Sequence, residues 1–200
     1  MKIWRKLLTV PLLGSLAVAT VLGAPQAPSG VQAAIQAIEQ AADPSAAVAA
    51  YANGVALERN NPKVTEAYVE RMVQLGLPEM AYHQAQALTT SESNNGLAWG
   101  VLAYVNARRG LMPEAISAIN LAGQLSPDNA FIQRTAGEIL AWYDVKADKS
   151  KLPANAQDGL ARVRSLMQNQ AAYLEAYDMA KKAYAAQANA AEPGAPGSRS

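Results

Sequence analysis

The chain has 200 residues and contains no cysteine, one histidine and one phenylalanine. Without cysteine there is no disulfide, no thiolate metal site, no thiol nucleophile and no lipid-modified amino-terminal cysteine. A single histidine, His83, rules out paired-histidine metal sites and the His-Glu-x-x-His arrangement. The sequence also has no Gly-x-Ser-x-Gly, no phosphate-cradling glycine loop and no acidic calcium loop. An excess of either charge is missing too: 17 Lys+Arg face 16 Asp+Glu, a net charge of +1. Setting aside Lys2, Arg5 and Lys6 leaves 14 basic against 16 acidic residues, without the basic surplus of a nucleic-acid binder. No cofactor and no metal is expected.

What the chain does have is alanine, which dominates an apolar half (50%). Alanine is the best helix former and adds little to sheets, so the expectation is an all-α protein with one compact domain. Residues 1–27 begin with three cations in Met1 to Lys6, continue with the apolar run Leu7 to Leu22, and end in small residues at Gly23, Ala24 and Ala27. That order matches a secretory signal peptide, which places the rest in the periplasm or outside the cell; the alternative is a retained amino-terminal membrane anchor. After cleavage no stable membrane insertion is expected.

The strongest internal signal is a shift of 34 residues that lays Gly76 on Gly110, Leu77 on Leu111 and Ala81 on Ala115. A fixed period of this length marks stacked helix pairs. In the second copy, Asn94 or Asn95 caps a helix whose inward face carries Trp99, Leu102, Ala103 and Val105 or Asn106. Gly110 ends it, Pro113 and Glu114 open the next helix, and Ala115, Ile119 and Ala122 face back before Ser126-Pro127 stops it. Small residues at Ala103, Ala115 and Ala122 let the two helices approach closely.

The set Trp99, Leu102, Ala103, Gly110, Ala115, Ile119, Ala122, Pro127 resembles one full tetratricopeptide repeat, with Asn106 where that family usually has Tyr. The preceding unit, about 62–95, keeps Gly76 and Ala81 but has Val69 at the small position and Ser93 for the closing Pro. A following unit starts at Ala130 with Gly137 at the small position, then departs at Asp144 and Lys149; Ala47, Tyr51 and Gly54 suit a weaker unit upstream. The resemblance implies a helical-hairpin solenoid over residues 28–144. Beyond it, 145–158 reads as a solvated loop. Residues 159–189 read as one long capping helix, with Leu160, Val163, Met167, Ala171, Leu174 and Met179 near helical spacing. The tail 190–200 is too poor in apolar residues to order itself.

In this family the first helix of each pair lines a concave surface where partners dock. Carried over, the implied groove residues are Lys63, Glu66, Glu70 and Gln74, then Tyr104 and Arg108, then Phe131, Arg134, Glu138 and Trp142. The Lys/Asn/Arg set with which some members clamp a carboxylate terminus is absent, since Glu66, Glu70, Val101, Phe131 and Thr135 stand at its positions. The function expected is therefore that of an exported scaffold, not an enzyme, holding a peptide or helix of another envelope or secreted protein. Two alternatives stand beside it. One is an envelope enzyme or enzyme subunit acting on cell-wall material, in which Glu66 and Glu70, one helical turn apart, form an acid/base pair. The other is a structural protein that self-associates through the alanine-rich carboxy-terminal helix. A pocketed carboxylate pair would favour the former, and an apolar stripe left bare on 159–189 the latter.

Overall fold

The computed structural model describes residues 29–191, with side chains as far as residue 188. The expected signal segment 1–27 lies outside the described residues, as do residues 192–200 of the expected tail. Among the described residues the chain is all-helical and has no strand. Nine α-helices follow in order: α1 (Gly30–Glu39), α2 (Pro44–Leu57), α3 (Pro62–Gln74), α4 (Tyr82–Ser91), α5 (Gly96–Arg108), α6 (Met112–Leu125), α7 (Ala130–Val145), α8 (Ala156–Met167) and α9 (Ala171–Ala191). A short 3-10 turn at Pro78–Ala81 leads into α4.

Local chemistry sets these boundaries. Ser29 and Gln32 form a reciprocal capping box on α1, and Asp43 with Pro44 opens α2. Asn61, Asn95 and Asn129 each cap a helix, α3, α5 and α7, and they sit 34 residues apart. The Oδ1 of Asn61 accepts from the amides of Lys63 (2.8 Å) and Val64, that of Asn95 from Ala98 (2.9 Å), and that of Asn129 from Phe131 (3.0 Å) and Ile132. Gly76 and Gly110, also 34 apart, end α3 and α5 at φ +75° and +77°, where a side chain would be strained. The amide just beyond each one closes the same turn, Leu77 onto the Met72 carbonyl and Leu111 onto the Asn106 carbonyl, both 2.9 Å.

Packing follows from the small residues. Ala103, Ala115 and Ala122 are fully buried where α5 and α6 fold back on each other, and Ile119, Ile132, Ile139 and Leu140 fill the space around that seam. Each such aliphatic side chain withdrawn from water is worth about 1.5–3 kcal/mol. At the amino end, Gly54 admits Val64 and Ala34 against α2, and Arg71 donates to the Ala41 carbonyl to tie α3 to the end of α1.

The carboxy-terminal part departs from the sequence expectation. In place of one helix over 159–189, two helices meet at a bend around Gln168–Gln170, and α8 begins inside the expected loop 145–158. A straight helix of that length would run about 45 Å, roughly twice the span of α7; bending lets both halves find cover. Gly159 lies against Asn120 while Gly123 meets Val163 and Met167, so α8 runs parallel to α6. Gln170 bonds Asp128 at one end of α7 and Lys146 bonds Gln187 at the other, so α9 runs parallel to α7.

The bend also resets the helical register. Leu160, Val163 and Met167 are buried as expected, but Ala171, Leu174 and Met179 are exposed. The inward face of α9 is instead Tyr173, Ala176, Tyr177, Ala180 and Tyr184. The end of α7 holds this arrangement: Asp144 Oδ2 accepts from Arg164 Nη2 of α8 at 2.7 Å and from the Tyr177 hydroxyl of α9 at 2.6 Å. Burial by itself would raise the Asp144 carboxyl; hydrogen bonds from Tyr177 and Arg164 outweigh it and hold the group below its ordinary value.

Candidate functional site

The carboxyl ends of α5 and α7 enclose a cleft of about 280 Å³. Tyr104 and Arg108 come from α5, Glu138 and Trp142 from α7, and Tyr184 reaches in from α9. Met112 and Ile139 form its apolar base. Helical spacing explains the alignment: 104 and 108, like 138 and 142, are one turn apart and share a face. Four of the ten groove residues that the resemblance implied line this cleft, and Phe131 stands beside it with its ring 5.6 Å from that of Tyr104. Arg134 is exposed on α7 outside the cleft lining and forms no ion pair among the described residues.

The electrostatics of the cleft are mixed. The Arg108 guanidinium lies 5.0 Å from the centre of the Tyr104 ring, and burial, with Glu79 and Glu138 nearby, keeps the Tyr104 phenol above its ordinary value despite that cation. Burial opposes the charge on Arg108, but Tyr104 and Glu138 more than restore it. Glu138 itself is half-buried and has no salt bridge or hydrogen bond through its side chain among the described residues. Lys146 stands 4.9 Å from the Tyr184 ring centre and donates to Gln187 at 2.7 Å; burial raises the Tyr184 phenol. The cleft therefore offers aromatic faces, a cation, and a carboxylate with free acceptor capacity, a combination suited to recognising a side chain.

Lys63, Glu66, Glu70 and Gln74 lie elsewhere, along α3. Glu66 and Glu70 border a second, more polar cleft of about 320 Å³ with Asn94, Asn95 and Asn129. Within it Glu66 is held by Lys63 (2.7 Å) and by the Asn95 amide (3.1 Å), while Glu70 accepts from Gln74 (3.2 Å). The hydrogen bond from Lys63 to Glu66 raises the lysine pKa. Gln74 and Glu70 also edge a separate hollow with Glu39 and Arg71.

Other sequence candidates have plain structural settings. His83 is exposed, 3.2 Å from Gln86 Oε1 and edge-on to Tyr82. Trp99 is half-buried against the core and donates its indole N–H to the Ser93 carbonyl, whereas Trp142 faces the first cleft. Arg109 stacks on Tyr82 at 4.1 Å. Among the described residues no group of three or more acidic or histidine side chains is placed to hold a metal ion, and no helix is long and apolar enough to cross a membrane.

Sequence reasoning missed Tyr184 and Lys146. A signal for Tyr184 was present: Tyr173, Tyr177 and Tyr184 recur at offsets of 4 and 7, which places them on one face of a helix. Searches with the chain find no matching family model, no curated protein and no solved structure.

Proposed function

We propose that this chain is an exported helical-repeat scaffold of the tetratricopeptide type, which holds a peptide or helix of another envelope or secreted protein without chemistry. The recurrence of Asn caps and glycine turns at 34 residues supports the repeat reading. The observation that carries the binding reading is the first cleft, where Tyr104, Arg108, Glu138 and Trp142 converge and Glu138 keeps free acceptor capacity. Aromatic and arginine side chains around a partly desolvated carboxylate are the residue types that dominate binding energy at protein interfaces. Selection of a random peptide library on the full chain tests it. Enriched peptides should lose at least tenfold in affinity on Trp142→Ala and keep it on His83→Ala; equal retention on both variants would refute the cleft as the docking surface.

The enzyme reading has one observation in its favour, the placement of Glu66 and Glu70 on a shared polar cleft. Against it, Glu66 is already engaged by Lys63 and Asn95, so neither a free base nor a proton donor stands beside Glu70. The self-association reading has less support. Leu174 and Met179 are exposed at 44% and 60%, but five positions on a helix separate them by about 140°, so they do not form a stripe.

A further inference from the structure

Tyr184, from the last described turns of α9, forms one wall of the cleft. We infer that the end of α9 is a movable wall that narrows this cleft, and that the partner it gives way to is a short alanine-rich helix with a tyrosine-like anchor, docking parallel to α7. This rests on the scaffold reading above and names the partner and its control.

The two halves of α9 are held very differently. Up to Tyr177 the helix is locked, because Tyr173 and Ala176 are buried, the α9 backbone lies against Gly137, and Tyr177 bonds Asp144. Beyond Tyr177 the attachments are few. Lys181, Lys182, Ala183, Ala185, Ala186, Gln187 and Ala188 are all exposed, leaving Ala180, the Tyr184 ring and the Lys146–Gln187 bond to hold the segment. A segment tethered at one end and held by one aromatic anchor opens locally at small cost.

The seat also defines what fits it. A helix can lie this close to α7 only if the residues facing it are small, as Ala176 and Ala180 are, and the cleft at the far end accepts one planar ring capped by the Lys146 ammonium. A partner helix with an alanine facing α7 and an aromatic one turn further on reproduces the part of this pattern that opens, the seats of Ala180 and Tyr184. Because Tyr184 is attached to the same chain, it competes at a high effective concentration, and a cleft open about one-tenth of the time binds an outside ligand about tenfold more weakly.

The test uses the full chain and a capped, fluorescein-labelled peptide of residues 177–188, read by anisotropy. The full chain carrying Tyr184→Ala should bind this peptide at least tenfold more tightly than the wild type or Tyr184→Phe. The same peptide with its own Tyr184→Ala change, or with Ala180→Pro to forbid the helix, should bind neither. Circular dichroism checks that the variant stays folded. Should it not, Gln187→Ala in the full chain loosens the segment while leaving Lys146 in place for the peptide, and should give a threefold gain. Equal binding to wild type and Tyr184→Ala, or none to the open variant at millimolar peptide, would overturn the inference, and so would undiminished binding of the proline peptide. The two readings fail separately. Library peptides that need Trp142 but bind wild type and Tyr184→Ala alike leave the docking surface and remove the movable wall; an open cleft that takes only its own helix does the reverse.

Discussion

Gly137 has no room for a methyl group. A Cβ there would lie 2.6 Å from the Tyr173 carbonyl oxygen and 2.8 Å from the Tyr177 nitrogen, both backbone atoms that cannot rotate away. Gly137→Ala is therefore expected to push α9 off α7 and cost about 1–3 kcal/mol, despite the gain in helix propensity. Thermal melting by circular dichroism checks this, and an unchanged or raised midpoint contradicts it. Ala103 makes the matching point at the α5–α6 seam. It is fully buried, and Ala103→Glu forces a carboxylate into the helix contact, costing several kcal/mol, about half of a typical domain's stability. A sharply lowered midpoint, or loss of the helical signal, is the expected readout.

Two kinds of residue differ in how legible they were. Asn95 and Gly110 could be read from the sequence because a cap or a left-handed turn is decided by its immediate neighbours. Asn61 and Asn129 follow the same chemistry and the same spacing, so they were equally available. For Tyr184 the spacing shows only that it shares a face with Tyr173 and Tyr177; that this face meets the cleft depends on where a bend elsewhere turns the helix.

At the scale of elements, the seat of α8 and α9 depends on the Asp144 carboxylate. Its folded pKa is lowered, so the ionised form is favoured by folding, and the stabilisation is fully present above the ordinary value of 3.8 and is lost as pH falls through the folded value. The pair is partly exposed, with side chains 26% and 43% accessible, so its worth is about 0.5–1 kcal/mol. Asp144→Asn should lower the melting midpoint at neutral pH, and the gap from wild type should close as pH falls below 3.8. A gap that stays constant with pH would show that Asp144 acts by shape alone.

The elements also show where periodicity stops being informative. The amphipathic reading of 159–189 was right for α8, whose buried face is Leu160, Val163 and Met167, and failed for α9. Apolar spacing locates a seam only while the helix stays straight. After the bend at Gln168–Gln170 a second seam begins, made of tyrosines and alanines, because Gly137 brings the partner backbone so near that leucine and methionine are turned outward.

For the whole molecule, stability should be graded along the chain, since each helix packs mainly against helices one or two places away in sequence. Amide hydrogen exchange is expected to be slowest in α5, α6 and α7, which hold Val101, Ala103, Ile119, Ile132 and Ile139 out of water, and fastest within α9 beyond Tyr177. Uniform protection across all of α9 would argue for a rigid carboxy-terminal helix. The helical class was readable from composition at this scale; of the groove residues that the resemblance implied, four line one cleft, Glu66 and Glu70 border a second, and Gln74 edges a third with Glu70.

Because α9 points the same way as α7, and α7 the same way as α5, three helices present their carbonyl ends at one rim. Each contributes roughly half an elementary negative charge there, but the amino ends of α6 and α8, which run the opposite way, bring two positive halves to the same rim, so only about one half-charge is left. Arg108, Arg109 and Lys146 gather at the first rim as counterweights. With the helix ends so nearly cancelled, those three cations set the potential at the cleft mouth, and an acidic segment drawn toward it arrives from that side.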